Sequence, residues 1–332
     1  MATRVAPINS VNPATEEVLK TYEPYTAAEV EQAVAQAQEA FLEWRTRSLA
    51  ERAVPMRKLA VLLRERSDDY ARLATLEMGK PIREAKAELE KCAGGCEFYA
   101  ENAARFLSEE PATTSARKSY VRFDPLGIVL AVMPWNFPFW QVIRFGAPAM
   151  MAGNAVVLKH ASNVPGCALA IEEAVRDAGF PTGLLRTLLV VGGQVEPVIA
   201  DERVRAVTLT GSSTTGAQIA AAAGRMLKKT VLELGPRLRD RLSHLEGDEA
   251  TVTIGALAQQ RSQPAHRDGA ISDPSFAPRY ERVLRVVERA VDLLGRERIE
   301  PSEDLLGRRV DARDRRKGRA HRQIEDSPAR CS

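Results

Sequence analysis

The residues that could do chemistry stand at the ends of apolar runs. Gly127-Ile128-Val129-Leu130-Ala131-Val132 leads into Met133-Pro134-Trp135-Asn136-Phe137-Pro138. The run is short, β-branched and bounded by prolines, so it reads as a buried strand. A polar amide at the mouth of such a strand lies where open α/β sheets place their ligands. Asn136 is therefore either a turn-capping residue or a hydrogen-bond donor aimed at a ligand. Lys159 ends a second apolar run, in Leu158-Lys159-His160-Ala161-Ser162. It could hydrogen-bond ribose hydroxyls or a phosphate, or be a solvated strand-end lysine. His160 reads as a loop residue, with no Ser and Asp partners at triad spacing.

Thr210-Gly211-Ser212-Ser213-Thr214-Thr215-Gly216 lies between a strand and a helix. Glycines there let the backbone approach an anion, and the helix start offers free N–H groups and a positive dipole. The segment is neither a GxGxxG motif nor a P-loop, and an ordinary Gly/Ser cap would look the same. Glu233 sits in Val231-Leu232-Glu233-Leu234-Gly235. Alternation could place this carboxylate on a solvated face, but its three apolar neighbours argue for burial, which would raise its pKa towards a general base's range. Arg144 lies in a mostly apolar helix, eight residues after Asn136. A buried arginine needs an anion, either a structural Asp/Glu or a substrate carboxylate.

Two kinds of patterning must position these groups. From Thr26, which opens a capping box with Glu29, helices are expected to about Trp44, over 49–66, 68–78 and 82–107. Asn9 to Lys20 reads as a turn leading to a short strand, and Ser119 to Asp124 as a strand within a polar excursion of about 110–124. After Pro125 strands and helices alternate, with strands at 127–132, 154–158, 185–191, 204–209 and 230–234. Helices fall between them, at about 140–151, 165–178, 194–200 and 215–227. That grammar gives an α/β class, a Rossmann-like parallel sheet with flanking helices behind an N-terminal helical section.

With 332 residues, 45% hydrophobic and 27% charged, the chain can bury a large core. A net charge of +3 names no partner. No stretch of 18 apolar residues exists and Met1 to Ser10 lacks an apolar core, so a membrane span is excluded and the cytoplasm is expected. Four cysteines are too few for a disulfide scaffold, and Cys92 and Cys96 read as helix-packing thiols. The charge distribution is uneven. Up to Gly235 there are 18 Arg and 9 Lys; from Pro236 onward there are 19 Arg and the single Lys317.

Taken together, Pro134-Trp135-Asn136-Phe137-Pro138, Lys159, Thr210-Gly211-Ser212 with Gly216, and Glu233-Leu234-Gly235 resemble the NAD(P)-dependent aldehyde dehydrogenase family. Within it they look most like the bacterial succinate-semialdehyde dehydrogenases, from about Asn12 to Gly235. The resemblance implies that Asn136 supplies an oxyanion-hole donor. Pro134 and Trp135 would meet the cofactor beside it. Lys159 would hold the adenosine ribose, and Gly211, Ser212 and Gly216 the pyrophosphate. Glu233 would activate the nucleophile or the hydrolytic water, and Arg144 would hold a substrate carboxylate. Ser162 stands where NAD-preferring members often carry a glutamate that binds the ribose hydroxyls. NADP is therefore the implied cofactor, with NAD also possible, and an aldehyde the substrate. The family usually forms oligomers through a hairpin, and 110–124 would contribute part of it.

The pattern breaks at Pro236, where the family continues with glycine. The family's nucleophilic cysteine follows a few dozen residues later, yet no cysteine lies between Pro236 and Arg330. The mechanism needs a thiolate to attack the aldehyde before hydride transfer. The domain division expected is therefore 1–235 as the NAD(P)-binding domain and 236–332 as an atypical Arg-rich tail, the catalytic domain being missing or unrecognisable. The composition shift predicts an altered reading frame or rearranged end after Gly235. The tail holds one helical pattern, Pro278 to Gly295, and a basic run from Arg308 to Arg322 without the interleaved aromatics of a nucleic-acid surface. Three outcomes remain: a truncated and inactive dehydrogenase, a catalytically silent NADP-binding module, and a non-functional remnant.

Overall fold

The computed structural model describes residues 6–235. The expected helix Pro278 to Gly295, the basic run after Arg308 and the rest of the tail lie outside those residues.

The chain opens with an antiparallel pair, β1 (Ile8–Val11) and β2 (Val18–Tyr22); the first of these strands was not expected. Four helices follow. α1 (Ala27–Trp44) begins on the predicted capping box: the Thr26 hydroxyl accepts from Glu29 N and the Glu29 carboxylate from Thr26 N. Ser48 and Glu51 repeat that box at the start of α2 (Leu49–Glu65). α3 (Ser67–Met78) stops at Gly79, whose φ of 76° is open to glycine without strain. α4 (Ile82–Phe106) packs its alanine- and cysteine-lined face on α2, α3 and α5. Cys92 and Cys96 are buried there, as the pattern predicts.

The excursion is slighter than the predicted strand Ser119–Asp124. Only β3 (Glu110–Pro111) and β4 (Tyr120–Val121) pair, antiparallel. The main layer then comes in the expected alternation: β5 (Ile128–Met133), α5 (Trp140–Met151), β6 (Ala155–His160), α6 (Pro165–Asp177), β7 (Leu185–Thr187), α7 (Val195–Ala200), β8 (Val204–Gly211), α8 (Ser213–Arg225) and β9 (Lys229–Leu234). All pairings in this sheet are parallel, in the order β7-β6-β5-β8-β9. β5 is buried at every residue, so helices cover both faces of the sheet there. β7 keeps three residues of the seven expected, because the chain leaves the ladder after Thr187.

The order reverses at β5. The chain adds β6 and β7 on one side, then crosses to place β8 and β9 on the other. The crevice outside the carboxyl ends of β5 and β8 is therefore the topological switch point, the ligand site of open α/β sheets. No helix among the described residues is long and apolar enough to cross a membrane.

Candidate functional site at the carboxyl edge of the sheet

The expected site residues gather on that edge. Pro134 to Asn136 leave β5; Met133, its last residue, is level with His160 on β6. Thr210 at the end of β8 is level with Glu233 on β9, and Gly211 with Leu234.

Asn136 is exposed, and its side chain makes no hydrogen bond among the described residues. The turn-capping role is filled by another group. The first N–H groups at the start of α5, Phe139 and Trp140, both donate at 2.8 Å to Oε1 of Glu88 from α4. Trp135 and Phe137, on either side of Asn136, are also exposed.

His160 corrects its expectation. It is the last residue of β6, not of a loop, and is only 5% exposed. Nδ1 accepts from Ala161 N at 2.8 Å, so the proton sits on Nε2, which donates to Pro138 O at 2.9 Å. Burial pushes its pKa down to about 4, so the ring is neutral. A neutral imidazole thus ties the end of β6 to the turn carrying Asn136.

Lys159 lies one residue earlier and is half-buried rather than solvated. Burial alone moves its pKa, downward, and no carboxylate pairs with it among the described residues. A desolvated ammonium without a counter-ion is unfavourable in isolation and well suited to an anionic or polyhydroxyl ligand. Ser162 is exposed beyond it and lines an open cleft with Asn163, Asn9 and Val191.

At the end of β8, Ser212 is the N-cap of α8, its Oγ accepting from Thr215 N at 3.2 Å. The amides of Ser213 and Thr214 have no acceptor among the described residues, and Ser213 Oγ is buried without a partner. The other two long helices that start at this edge have their N–H groups filled. Glu88 takes those of α5, and Glu77, buried on α3, takes Gly166 N and Cys167 N of α6 at 2.9 Å each. α8 is the helix start left open to an external anion. Gly216 is buried against Leu234, whose side chain occupies the space a Cβ would need.

Glu233 corrects the second expectation. β9 is the outer strand among the described residues, and its side chain is 36% exposed rather than buried. Its carboxylate pairs with the Arg144 guanidinium, 21% exposed, and faces Thr210 Oγ1 at 3.5 Å. The anion awaiting Arg144 is thus a glutamate of this chain. Lys80, Glu77, Glu88 and Ser213 were not singled out from the sequence. Glu88 had one local signal, its phase with Ala85, Leu89 and Cys92 on the buried face of α4. Among the described residues no cluster of His, Cys, Asp and Glu could hold a metal.

Residues 2–237 match the model of the aldehyde dehydrogenase family. The probable succinate-semialdehyde dehydrogenase [NADP(+)] of Synechocystis sp. is 51% identical over 228 residues, 69% of this chain and 50% of that protein. The Mycobacterium avium succinate-semialdehyde dehydrogenase [NADP(+)] is 51% identical over 233 residues, 69% of this chain and 49% of its own length. The succinic semialdehyde dehydrogenase of Streptococcus pyogenes, solved with NADP+ as the cofactor, superimposes with a TM-score of 0.67 at 41% identity, covering 69% of this chain and 50% of that one. The chain spans about half the length of these relatives. The family match covers most of the chain and the first two of these relatives are about half identical to it in sequence: the chain belongs to the aldehyde dehydrogenase family.

Proposed function

We propose that residues 6–235 are the NADP-binding half of an enzyme acting on succinate semialdehyde or a similar aldehyde, and that the chain as it stands binds the dinucleotide without oxidising aldehyde. The observation that carries the binding reading is the half-buried Lys159 ammonium, with no counter-ion among the described residues, beside the exposed Ser162. With no acid at position 162, a ribose 2′-phosphate meets a cation and a hydroxyl rather than a repelling carboxylate. The open α8 amides and the orphaned Ser213 Oγ fit the pyrophosphate on the same edge.

Lys159 and Ser162 would hold the adenosine end, Gly211, Ser212 and Gly216 the phosphates, and Pro134 and Trp135 the end nearest Asn136. When bound, NADP supplies the hydride acceptor. Asn136 is assigned as a donor to a developing oxyanion, and the Arg144–Glu233 pair as the charged wall beside it. The β3–β4 hairpin is assigned to assembly of copies of the chain, and the cytoplasm is the compartment this reading implies.

The silent half of the proposal rests on thiol chemistry. Cys92, Cys96 and Cys167 are buried, and burial pushes each thiol pKa up, Cys96 to about 12. None is a thiolate near neutrality. Cys331 lies outside the described residues, in the Arg-rich tail. Titration with NADPH, followed by its fluorescence, and an assay for semialdehyde-dependent NADPH formation test both halves. Binding without turnover is expected. Turnover at rates ordinary for dehydrogenases sinks the silent reading, and absence of binding sinks the cofactor reading.

A further inference from the structure

The turn that presents Asn136 is held at each of the four residues that follow it. The ring of Phe137 lies beneath Lys80 Nζ, 3.7 Å from its centroid. Pro138 O accepts from His160 Nε2 at 2.9 Å. Phe139 N and Trp140 N both donate to Glu88 Oε1 at 2.8 Å. The other oxygen of Glu88 is ion-paired with Lys80, and the two side chains are only 2% and 5% exposed. Lys80 lies in the Gly79-Lys80-Pro81 link between α3 and α4, and Glu88 lies within α4. Two charges from the helical section have been carried into the interior to grip a turn of the sheet layer.

Stability alone is a poor account of that pair. Buried ion pairs are often matched or bettered by apolar residues of the same volume, because two ions must be desolvated. What an apolar substitute cannot do is accept the two N–H groups at the start of α5, or place a cation on the ring next to Asn136. We propose that Lys80 and Glu88 are positioning residues. Their buried pair fixes the turn 137–140, so that the amide of Asn136 is presented to a ligand at the carboxyl edge of the sheet. The ligand part rests on the function proposed above, whereas the fixing of the turn does not.

The two parts are separable by experiment. Amide hydrogen exchange is measured on the full chain without ligand for wild type, Lys80→Met, Glu88→Ala and Glu88→Gln, and each is then titrated with NADPH. Lys80 touches the Phe137 ring and Glu88 and accepts no amide proton, so a change at Phe139 and Trp140 in Lys80→Met reports positioning and not a missing acceptor. The expected result is at least tenfold faster exchange across 136–141 in Lys80→Met and Glu88→Ala, with β6 and α2 unchanged. Glu88→Gln keeps an oxygen for both N–H groups and restores protection at Phe139 and Trp140 at least in part. NADPH affinity falls severalfold in the first two variants. If Glu88→Ala does not fold, Lys80→Met and Glu88→Gln decide. Wild-type exchange at 136–141 in Lys80→Met overturns the proposal, as does loss of protection spread evenly over the whole chain. A wild-type chain that fails to bind NADPH removes the cofactor reading and leaves the exchange result to judge the turn.

Discussion

Arg144 on α5 and Glu233 on β9, 89 residues apart in sequence, form an ion pair that joins the helix after Asn136 to the outer strand of the sheet. Each neutralises the other, so neither is available to a substrate unless the pair opens. The pair would couple the two roles proposed for them, carboxylate binder and base. A ligand carboxylate that took Arg144 would release Glu233.

That coupling is measurable as stability. Arg144→Met, Glu233→Gln and the double variant, compared by urea denaturation, should give a coupling of on the order of 1 kcal/mol, the value for a partly exposed pair. Added succinate should lower the wild-type stability difference from Glu233→Gln by competing for the guanidinium. Additive single effects would show that the two side chains do not interact.

Replacing Lys159 by Met separates binding from folding. The ammonium is desolvated and has no counter-ion among the described residues, so its loss should leave the melting temperature unchanged or raised. NADPH affinity should drop by about 10- to 100-fold, roughly 1.4–2.7 kcal/mol. Because burial lowers the Lys159 pKa, wild-type affinity should also decline on the alkaline side before the ordinary lysine value of 10.5 is reached, and the variant should show no such decline. A variant that binds as tightly as wild type would remove Lys159 from the site.

His160 makes stability depend on acid. Its folded pKa of about 4 lies below the ordinary 6.5, so between those values the unfolded chain takes a proton that the folded chain refuses. The contribution is fully present above about 6.5 and is lost as pH falls to about 4, up to about 3 kcal/mol. Denaturation curves across this range should be flatter for His160→Gln than for wild type. Parallel curves would mean the ring is not buried neutral.

Glu77 ties three parts of the chain together. Its carboxylate accepts from Ser10 Oγ at 2.7 Å and from the amides of Gly166 and Cys167. Glu77→Ala strands buried donors and should cost about 2–4 kcal/mol in chemical denaturation. Frayed at its start, α6 should then expose Cys167 to thiol reagents under native conditions, while Cys92 and Cys96 stay slow. Equal labelling of all three thiols would point to general unfolding instead.

The sheet was legible because each strand is a short apolar run closed by a Gly, Pro or polar turn, and the site was legible because its groups sit at the ends of those runs. Asn136, Lys159 and Ser212 each follow the end of such a run, which puts all three on one edge of the sheet. Glu88 could not be assigned a partner, since its amide acceptances reach 51 and 52 residues along the chain and leave no local trace. Glu233 departs from expectation for a related reason. Its apolar neighbours suggest burial, but whether a strand is central or outermost depends on strand order, which a run of residues does not state. His160 shows the same limit, as a polar letter after an apolar run that the ladder with Met133 keeps within the strand.

The strand order has a consequence for how the chain is made. From β6 onward, each strand of the sheet leaves the ribosome after a neighbour it will pair with: β6 after β5, β7 after β6, β8 after β5 and β9 after β8. Among the described strands of this sheet, only β5 emerges before every partner it will have. At about 5–20 residues per second, the sheet can assemble one strand at a time, well before the last codon is read. Nascent chains arrested just beyond Gly235, with the tunnel cleared, should already resist protease.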